Sequence, residues 1–195
     1  MITLEDRAAS YATNFPDYPP VHADGRWLTG WWALGQNYRG SGFYGAYPPS
    51  YLRRVRALFP EYWHQGRVLH LFSGSLGSTI LQIGAQVVRL DVNCALSPDV
   101  CGDAHRLPFK KGTFDLVLAD PPYSHADAAR YGTAMVNRRA VMAETARVTT
   151  GGGHLVWLDC SMPMYRKSEW KQWGGIGVQR STNHRFRGVV LFERI

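Results

Sequence analysis

From Arg67 onward the chain repeats one pattern, in which a short apolar run and a turn give way to a stretch of helical spacing and then another apolar run. Strands are predicted at Val68 to Phe72, Gln86 to Leu90, Asp115 to Ala119, His154 to Leu158 and Gly188 to Glu193, with helices at Ser78 to Gly84 and Met135 to Val148. Each strand is too short and too apolar to stand alone. Strands alternating with helices bury themselves as a mostly parallel sheet with helices on both faces, an α/β fold. Such sheets bind ligands beyond the carboxyl ends of their strands. The residues just after each strand are therefore the candidates for chemistry.

The 195 residues suit one domain, expected as three stretches. Residues 1–66 read as an aromatic-rich irregular arm followed by a helix that starts at Ser50 as N-cap and ends at Pro60, with Arg53, Arg54 and Arg56 mostly off its apolar stripe. Residues 67–160 are the core. Residues 161–195 are a basic segment with seven Lys or Arg against two acids, which carries most of the net charge of +7. A cationic segment of this kind attracts polyanions. No apolar run reaches the ~18 residues of a membrane span. The first residues lack the pattern of a signal peptide, so a cytoplasmic protein without a membrane partner is expected. Cys94, Cys101 and Cys160 are expected as reduced, mostly buried thiols. No Cys-x-x-Cys occurs, and no metal site is expected.

Ser73-Gly74-Ser75-Leu76-Gly77 follows the first core strand, where glycines let the backbone turn sharply and approach a ligand. Asp91 ends the next strand, at about the spacing where an acid meets ribose hydroxyls. Gly102-Asp103-Ala104 follows, and an acid there can accept from an adenine amino group. No Gly-Lys-Ser/Thr is present, nor any Lys in the turn to hold a polyphosphate. A nucleoside ligand without a phosphate chain fits these residues.

Asp120-Pro121-Pro122-Tyr123 follows the strand at 115–119. This tetrapeptide resembles the D-P-P-Y motif of the class I S-adenosylmethionine-dependent amino methyltransferases, which act on adenine N6 or cytosine N4. Leu71 to Ser75 resembles the family's first cofactor motif, Thr113 to Ala119 its strand before the catalytic loop, and Ala146 to Leu155 its glycine-rich entry to the next strand. The resemblance covers about residues 67–160. It implies a Rossmann-like fold and S-adenosylmethionine as cofactor. Cofactor contacts are expected at Phe72, Ser73, Gly74, Ser75, Gly77, Asp91, Val92, Asp103 and Ala104, with a lid at Tyr44 to Tyr47 that includes Tyr47. It implies catalytic roles for Asp120, Pro121, Pro122 and Tyr123.

The chemistry agrees with those residue types. A base amino nitrogen is a poor nucleophile because its lone pair is delocalised into the ring. The Asp120 carboxylate and the Pro121 carbonyl can draw its two hydrogens out of plane and localise that pair. Proline fixes φ and makes the loop rigid, and the Tyr123 ring can stack on a base turned out of its helix. Methylation at cytosine C5 needs a cysteine nucleophile, usually after proline; Asn93, Val100 and Asp159 precede the three cysteines.

His70 stands where related enzymes often carry an acid, and is expected as a satisfied strand residue. Met164 to Gly188 reads as a long loop in which cations interleave with aromatics. Tyr123, Ser124, Arg166, Lys167, Arg185 and Arg187 are the expected substrate contacts. DNA is the expected partner, with adenine as the base. An RNA base, or nucleic-acid binding without catalysis, are the alternatives.

Overall fold

The computed structural model describes residues 2–35, 47–48, 50–75, 86–180 and 183–195. Gly77, Tyr44 and the helix expected at 78–84 lie outside these residues. The described elements are α1 (Leu4–Asn14), β1 (His22–Ala23), β2 (Leu28–Leu34), α2 (Tyr51–Leu58), β3 (Arg67–Leu71), β4 (Gln86–Asp91), β5 (Val100–Cys101), β6 (Phe114–Ala119), α3 (His125–Arg130), α4 (Arg138–Val148), β7 (Thr149–Asp159), β8 (Trp170–Arg180) and β9 (Asn183–Arg194).

One sheet runs through the molecule in the order β1-β2-β8-β9-β7-β6-β3-β4-β5. β2 and β8, β7 and β6, β6 and β3, β3 and β4, and β4 and β5 pair in parallel. β9 runs antiparallel between β7 and β8, and β1 antiparallel to β2. The mixed, mostly parallel α/β sheet is the one that the alternation predicts, and its arrangement is the Rossmann-like one that the resemblance implies.

Alternate side chains of the central strands enter two separate cores. Val68, Leu116, Leu118, Val156 and Leu158 join Tyr11, Leu52, Val55 and Leu58 of α1 and α2. Leu69, Leu71, Val117, Leu155 and Trp157 join Val141, Met142, Ala146 and Val148 of α4. Helices therefore cover both faces. α4 is started by Asn137, whose side chain accepts from Ala140 N. It passes straight into β7, so Gly151 to Gly153 do not end the helix as expected. The strand already begins at Thr149, and its register on β6 shifts between Phe114–Thr149 and Leu116–His154. The glycines accommodate that irregularity: a Cβ on Gly153 would lie 2.8 Å from Thr149 Cγ2.

The amino-terminal stretch is more than an irregular arm. Thr3 and Asp6 form a capping box that starts α1, and β2 extends the sheet beside β8. Ser50 occupies the N-cap position of α2 but adopts φ 69° and makes no side-chain cap. Arg54 departs furthest from expectation. It is 2% exposed, inside the core beneath α2. Its guanidinium carbon lies 4.3 Å from the ring centre of Tyr18 and 4.8 Å from that of Phe15, and it donates to the Tyr11 hydroxyl. An aromatic cage replaces the hydration that burial removes. Arg54→Ala is expected to lower the unfolding free energy by about 2 kcal/mol. Urea titration checks this as a lower midpoint at unchanged slope.

Candidate active site

Asp91, Asp120 and Asp159 each stand at the carboxyl end of a parallel strand, β4, β6 and β7. Each is held differently. Asp91 accepts from Gly74 N at 2.8 Å through Oδ2 and from Asn93 N at 2.9 Å through Oδ1, which ties the turn after β3 to the end of β4. Asp159 is buried and takes a fork from Arg138, with Nε at 2.6 Å and Nη2 at 3.1 Å. Trp157 Nε1 and the amides of Cys160 and Ser161 also donate to it. Asp120 accepts from the Tyr123 hydroxyl at 2.5 Å on Oδ1. Among the described residues none donates to its Oδ2 or to the Pro121 carbonyl.

Burial pushes the Asp120 carboxyl up to about 7. The Tyr123 hydrogen bond and the charge of Arg187 work against that rise, and Asp159 adds to it. Its neighbours Tyr47, Tyr51 and Tyr123 are desolvated too and remain neutral phenols, with Asp120 itself a further cause.

The loop that carries Asp120 is braced from two sides. Arg138, at the start of α4, reaches the carbonyls of Pro122 and Tyr123 at 3.4 Å while it holds Asp159. Ser124 caps α3, accepting from Asp127 N and donating to Asp127 Oδ2. Arg185 pairs with the same Asp127 oxygen at 2.7 Å. Ser124, expected at the substrate, thus has a cap to make. The Arg187 guanidinium stands 4.9 Å from the Tyr123 ring centre. One face of that ring is covered and its hydroxyl is engaged, which alters the expectation of a ring open for stacking.

Among the cofactor positions, the turn after β3 has Phe72 at φ 57° and Gly74 at φ 57°. Left-handed backbone at a non-glycine is a strained conformation typical of ligand-binding turns. Ser73 is 2% exposed and its hydroxyl has no partner among the described residues. Ser75 follows on the exposed side of the turn. Val92 is exposed directly after Asp91. Asp103 Oδ1 accepts from the backbone of His105 at 2.9 Å and from its Nδ1 at 2.6 Å, and His105 Nε2 accepts from Asn137 N. These residues fit a nucleoside cofactor: a carboxylate for ribose hydroxyls, an exposed apolar side chain for a base, and an unsatisfied buried hydroxyl in the turn.

Two cofactor expectations change. Ala104 is buried in the core on the α4 face, so only its backbone is open to a ligand. Tyr47 is buried as well, stacked on Tyr51 at 4.8 Å with its hydroxyl 2.8 Å from His70 Nε2. It is a core residue behind Asp120, not a lid. His70 is fully buried, and that burial, with the charge of Arg89, pulls it down to about 3, so it is a neutral strand residue.

The expected long loop is largely strand β8, and Trp170 and Trp173 are core residues. Arg166 and Lys167 precede β8 at the amino end of the parallel strands, opposite Asp120. Arg166 pairs there with Glu169, so both leave the substrate set. Arg185 and Arg187 lie near the start of β9, at the carboxyl end, beside Tyr123 and Asp127. Arg138 and Asp159 were missed. The signal was present: Leu90-Asp91, Ala119-Asp120 and Leu158-Asp159 all end an apolar run with an acid.

Cys94 and Cys101 form a disulfide, and Cys160 is exposed, so none of the three is a buried free thiol. β5 pairs Cys101 with Asp91, and the 3-10 turn Cys94–Leu96 brings Cys94 back to a Cα distance of 5.2 Å.

Residues 73–157 match the methyltransferase domain family. The fold is that of the class I methyltransferases. The match starts at Ser73 and ends at Trp157, so it contains Asp91 and Asp120. TrmN from Thermus thermophilus is similar in structure, with a TM-score of 0.57 and 17% identity over 77% of this chain and 50% of that one. This chain thus spans half the length of TrmN. The [4+2]-cyclase SpnF is similar at a TM-score of 0.54 and 14% identity, over 83% of this chain and 87% of that one. The N-methyltransferase NodS from Bradyrhizobium japonicum is similar at 0.51 and 11%, over 73% and 92%. No curated protein matches the chain in sequence. A cyclase and an N-methyltransferase on one fold show that the reaction must be argued from the site.

Two predictions follow from this geometry. Thiol titration of the unreduced native protein should count one reactive cysteine, Cys160, and three after reduction. The unfolded chain ionises Asp120 near 3.8, whereas the folded chain keeps its proton to about 7. The folded state therefore binds the extra proton, and stability from this group falls as pH rises between those values. Asp120→Asn should melt higher than the parent at pH 8 and equal to it at pH 4, read by thermal unfolding.

Proposed function

We propose that the chain transfers a methyl group from S-adenosylmethionine to an exocyclic amino nitrogen of a nucleic-acid base, with adenine N6 in DNA as the leading substrate. The desolvated Asp120 at the head of Asp-Pro-Pro-Tyr, with Oδ2 open, is the observation that carries this reading. The cofactor supplies an electrophilic methyl on a sulfonium. Asp91 would accept from its ribose, and Ser73 and Gly74 would line the turn beside it. Val92 and Asp103 would meet the adenine face and edge.

For the acceptor, Asp120 Oδ2 and the Pro121 carbonyl each accept a hydrogen bond from one of the two amino hydrogens. The nitrogen lone pair is then localised out of the base plane and able to receive the methyl group that the cofactor would supply, which would leave the nitrogen cationic. Asp120 stabilises that charge and accepts the proton the nitrogen sheds. Tyr123 holds Oδ1, so the carboxylate cannot rotate its free oxygen away. Arg187 offers a cation for a phosphate next to the turned-out nucleotide. No metal is needed for this displacement.

The carboxylate must be ionised to act. kcat/KM should rise with unit slope up to about pH 7 and then level. Asp120→Ala should abolish transfer and leave cofactor affinity within a few-fold, whereas Asp91→Ala should weaken cofactor binding itself; calorimetry separates the two, and equal loss in both variants would undo this division of roles. The deciding assay incubates the protein with methyl-labelled cofactor and separate pools of duplex DNA, single-stranded DNA and RNA, then identifies the labelled nucleoside. N6-methyladenine in DNA is expected. Label confined to RNA moves the substrate, and label in no pool despite cofactor binding refutes base methylation.

A further inference from the structure

Among the described residues no helix covers the α4 face of the sheet at the carboxyl ends of β2 and β8 and the start of β9. The connection from β7 to β8, residues 160–169, is a ten-residue stretch of bends and turns. What stands on that face is a cross-strand row. Trp31 of β2 pairs with Gly177 of β8, Gly177 with Gly188 of β9, and Gly188 with Asp159 of β7. The Trp31 ring lies down on the strip, because a Cβ on Gly177 would meet it at 2.3 Å. Phe186, two residues before Gly188, stands 5.6 Å from Trp31 at an interplanar angle of 60°. Both rings stay in solvent, at 43% and 64% exposure.

We propose that Trp31 and Phe186 form a stacking platform for unpaired bases of a single-stranded nucleic acid, continuous with the methyl-transfer cleft. The proposal rests on the base-methylation reading and extends it to how the strand is held. Three observations favour this occupant. The strip between the rings and the cleft is glycine, so it offers flat backbone and little apolar area for a hydrophobic protein interface. Arg185 and Arg187 flank Phe186 near the start of β9, turned toward Asp127 and Tyr123, so a polyanion that passes from the rings to the Asp120 loop meets positive charge. The row ends on Asp159, whose partner Arg138 also braces the Asp120 loop. Three strand spacings separate Trp31 from Asp159, ~14 Å, a distance a short run of nucleotides covers. Bases stack on aromatic rings whatever their sequence, so the platform would grip the strand and leave selection to the cleft.

The test measures binding of fluorescent single-stranded and duplex oligonucleotides to the full chain, in the parent and in Trp31→Ala, Phe186→Ala and Gly175→Glu. Gly175 has open space above it on the same strand, so a glutamate there puts a repelling charge on the face without disturbing the packing. Each variant should bind the single strand roughly tenfold more weakly and the cofactor with unchanged affinity. Unchanged single-strand affinity in Gly175→Glu overturns the platform, as does a parent dimer that this variant splits without altering oligonucleotide binding. The methylation reading fails separately: a platform that loses its strand in the variants, in a protein that labels no nucleic acid, leaves the platform standing and removes the transfer.

Discussion

Three carboxylates stand at the carboxyl ends of parallel strands, and the way each is hydrogen-bonded decides what that edge of the sheet can do. Asp91 spends one hydrogen bond per oxygen on backbone amides and keeps lone pairs for hydroxyls. Asp159 is saturated by Arg138, the Trp157 indole and two amides, so it works as a structural anchor. Asp120 has one phenol hydrogen bond and the charges of Arg187 and Arg180, and burial raises its affinity for a proton in spite of them. A carboxylate left short of donors in a desolvated place is poised to accept hydrogens from something else. Asp159 makes that shortage tolerable, because Arg138 holds the loop in place through Asp159 and the Pro122 and Tyr123 carbonyls.

The central half of the fold was legible because its signals are local. β3, β4 and β6 are short, mostly apolar runs that end in Asp or a tight turn, and α4 has its cap and stripe within one window. The strands at the other end were harder to read. β8 contains Gly174, Gly175 and Gly177, which read as a turn, yet two of these positions, Gly174 and Gly177, answer to a distant partner. A Cβ on Gly174 would lie 2.7 Å from Leu28 O, and one on Gly177 would strike Trp31. β2 and β8 pair across more than a hundred residues, and no local period reports such a contact. The same blindness placed Arg166 and Lys167 at the substrate: sequence proximity to Arg185 and Arg187 hid the fact that β8 carries the chain from one end of the sheet to the other.

The motif residues were readable, but their partners were not. Asp-Pro-Pro-Tyr pointed to Asp120 directly. That Tyr123 would turn its hydroxyl onto Asp120, with Arg187 over its ring, depends on β9 arriving antiparallel beside β7. Cysteine spacing misled for a related reason. Cys94 and Cys101 are seven residues apart, and only the short pairing of β4 with β5 brings them together, beside the acid expected to hold the ribose.

The opposite end of the sheet shows why the cleft can hold an under-satisfied acid. Arg7 of α1 is buried there and donates to Leu58 O at 2.7 Å and to Glu61 at 2.5 Å, with His154 Nε2 at 3.3 Å. Tyr62 holds the other nitrogen of His154 at 2.7 Å. The imidazole is pulled down to about 3 by burial and by Arg7, so it stays neutral and adds no second cation to the cluster. Polar groups buried with their partners are expensive to lose one at a time. This network locks α1, the end of α2 and the entry of β7 to one another. This polar clamp stands at the amino ends of the strands, where no ligand is expected, and the strained turn at Phe72 and the desolvated Asp120 sit at the far end of the same strands. A scaffold clamped at one end can keep unsatisfied groups at the other without relaxing to satisfy them.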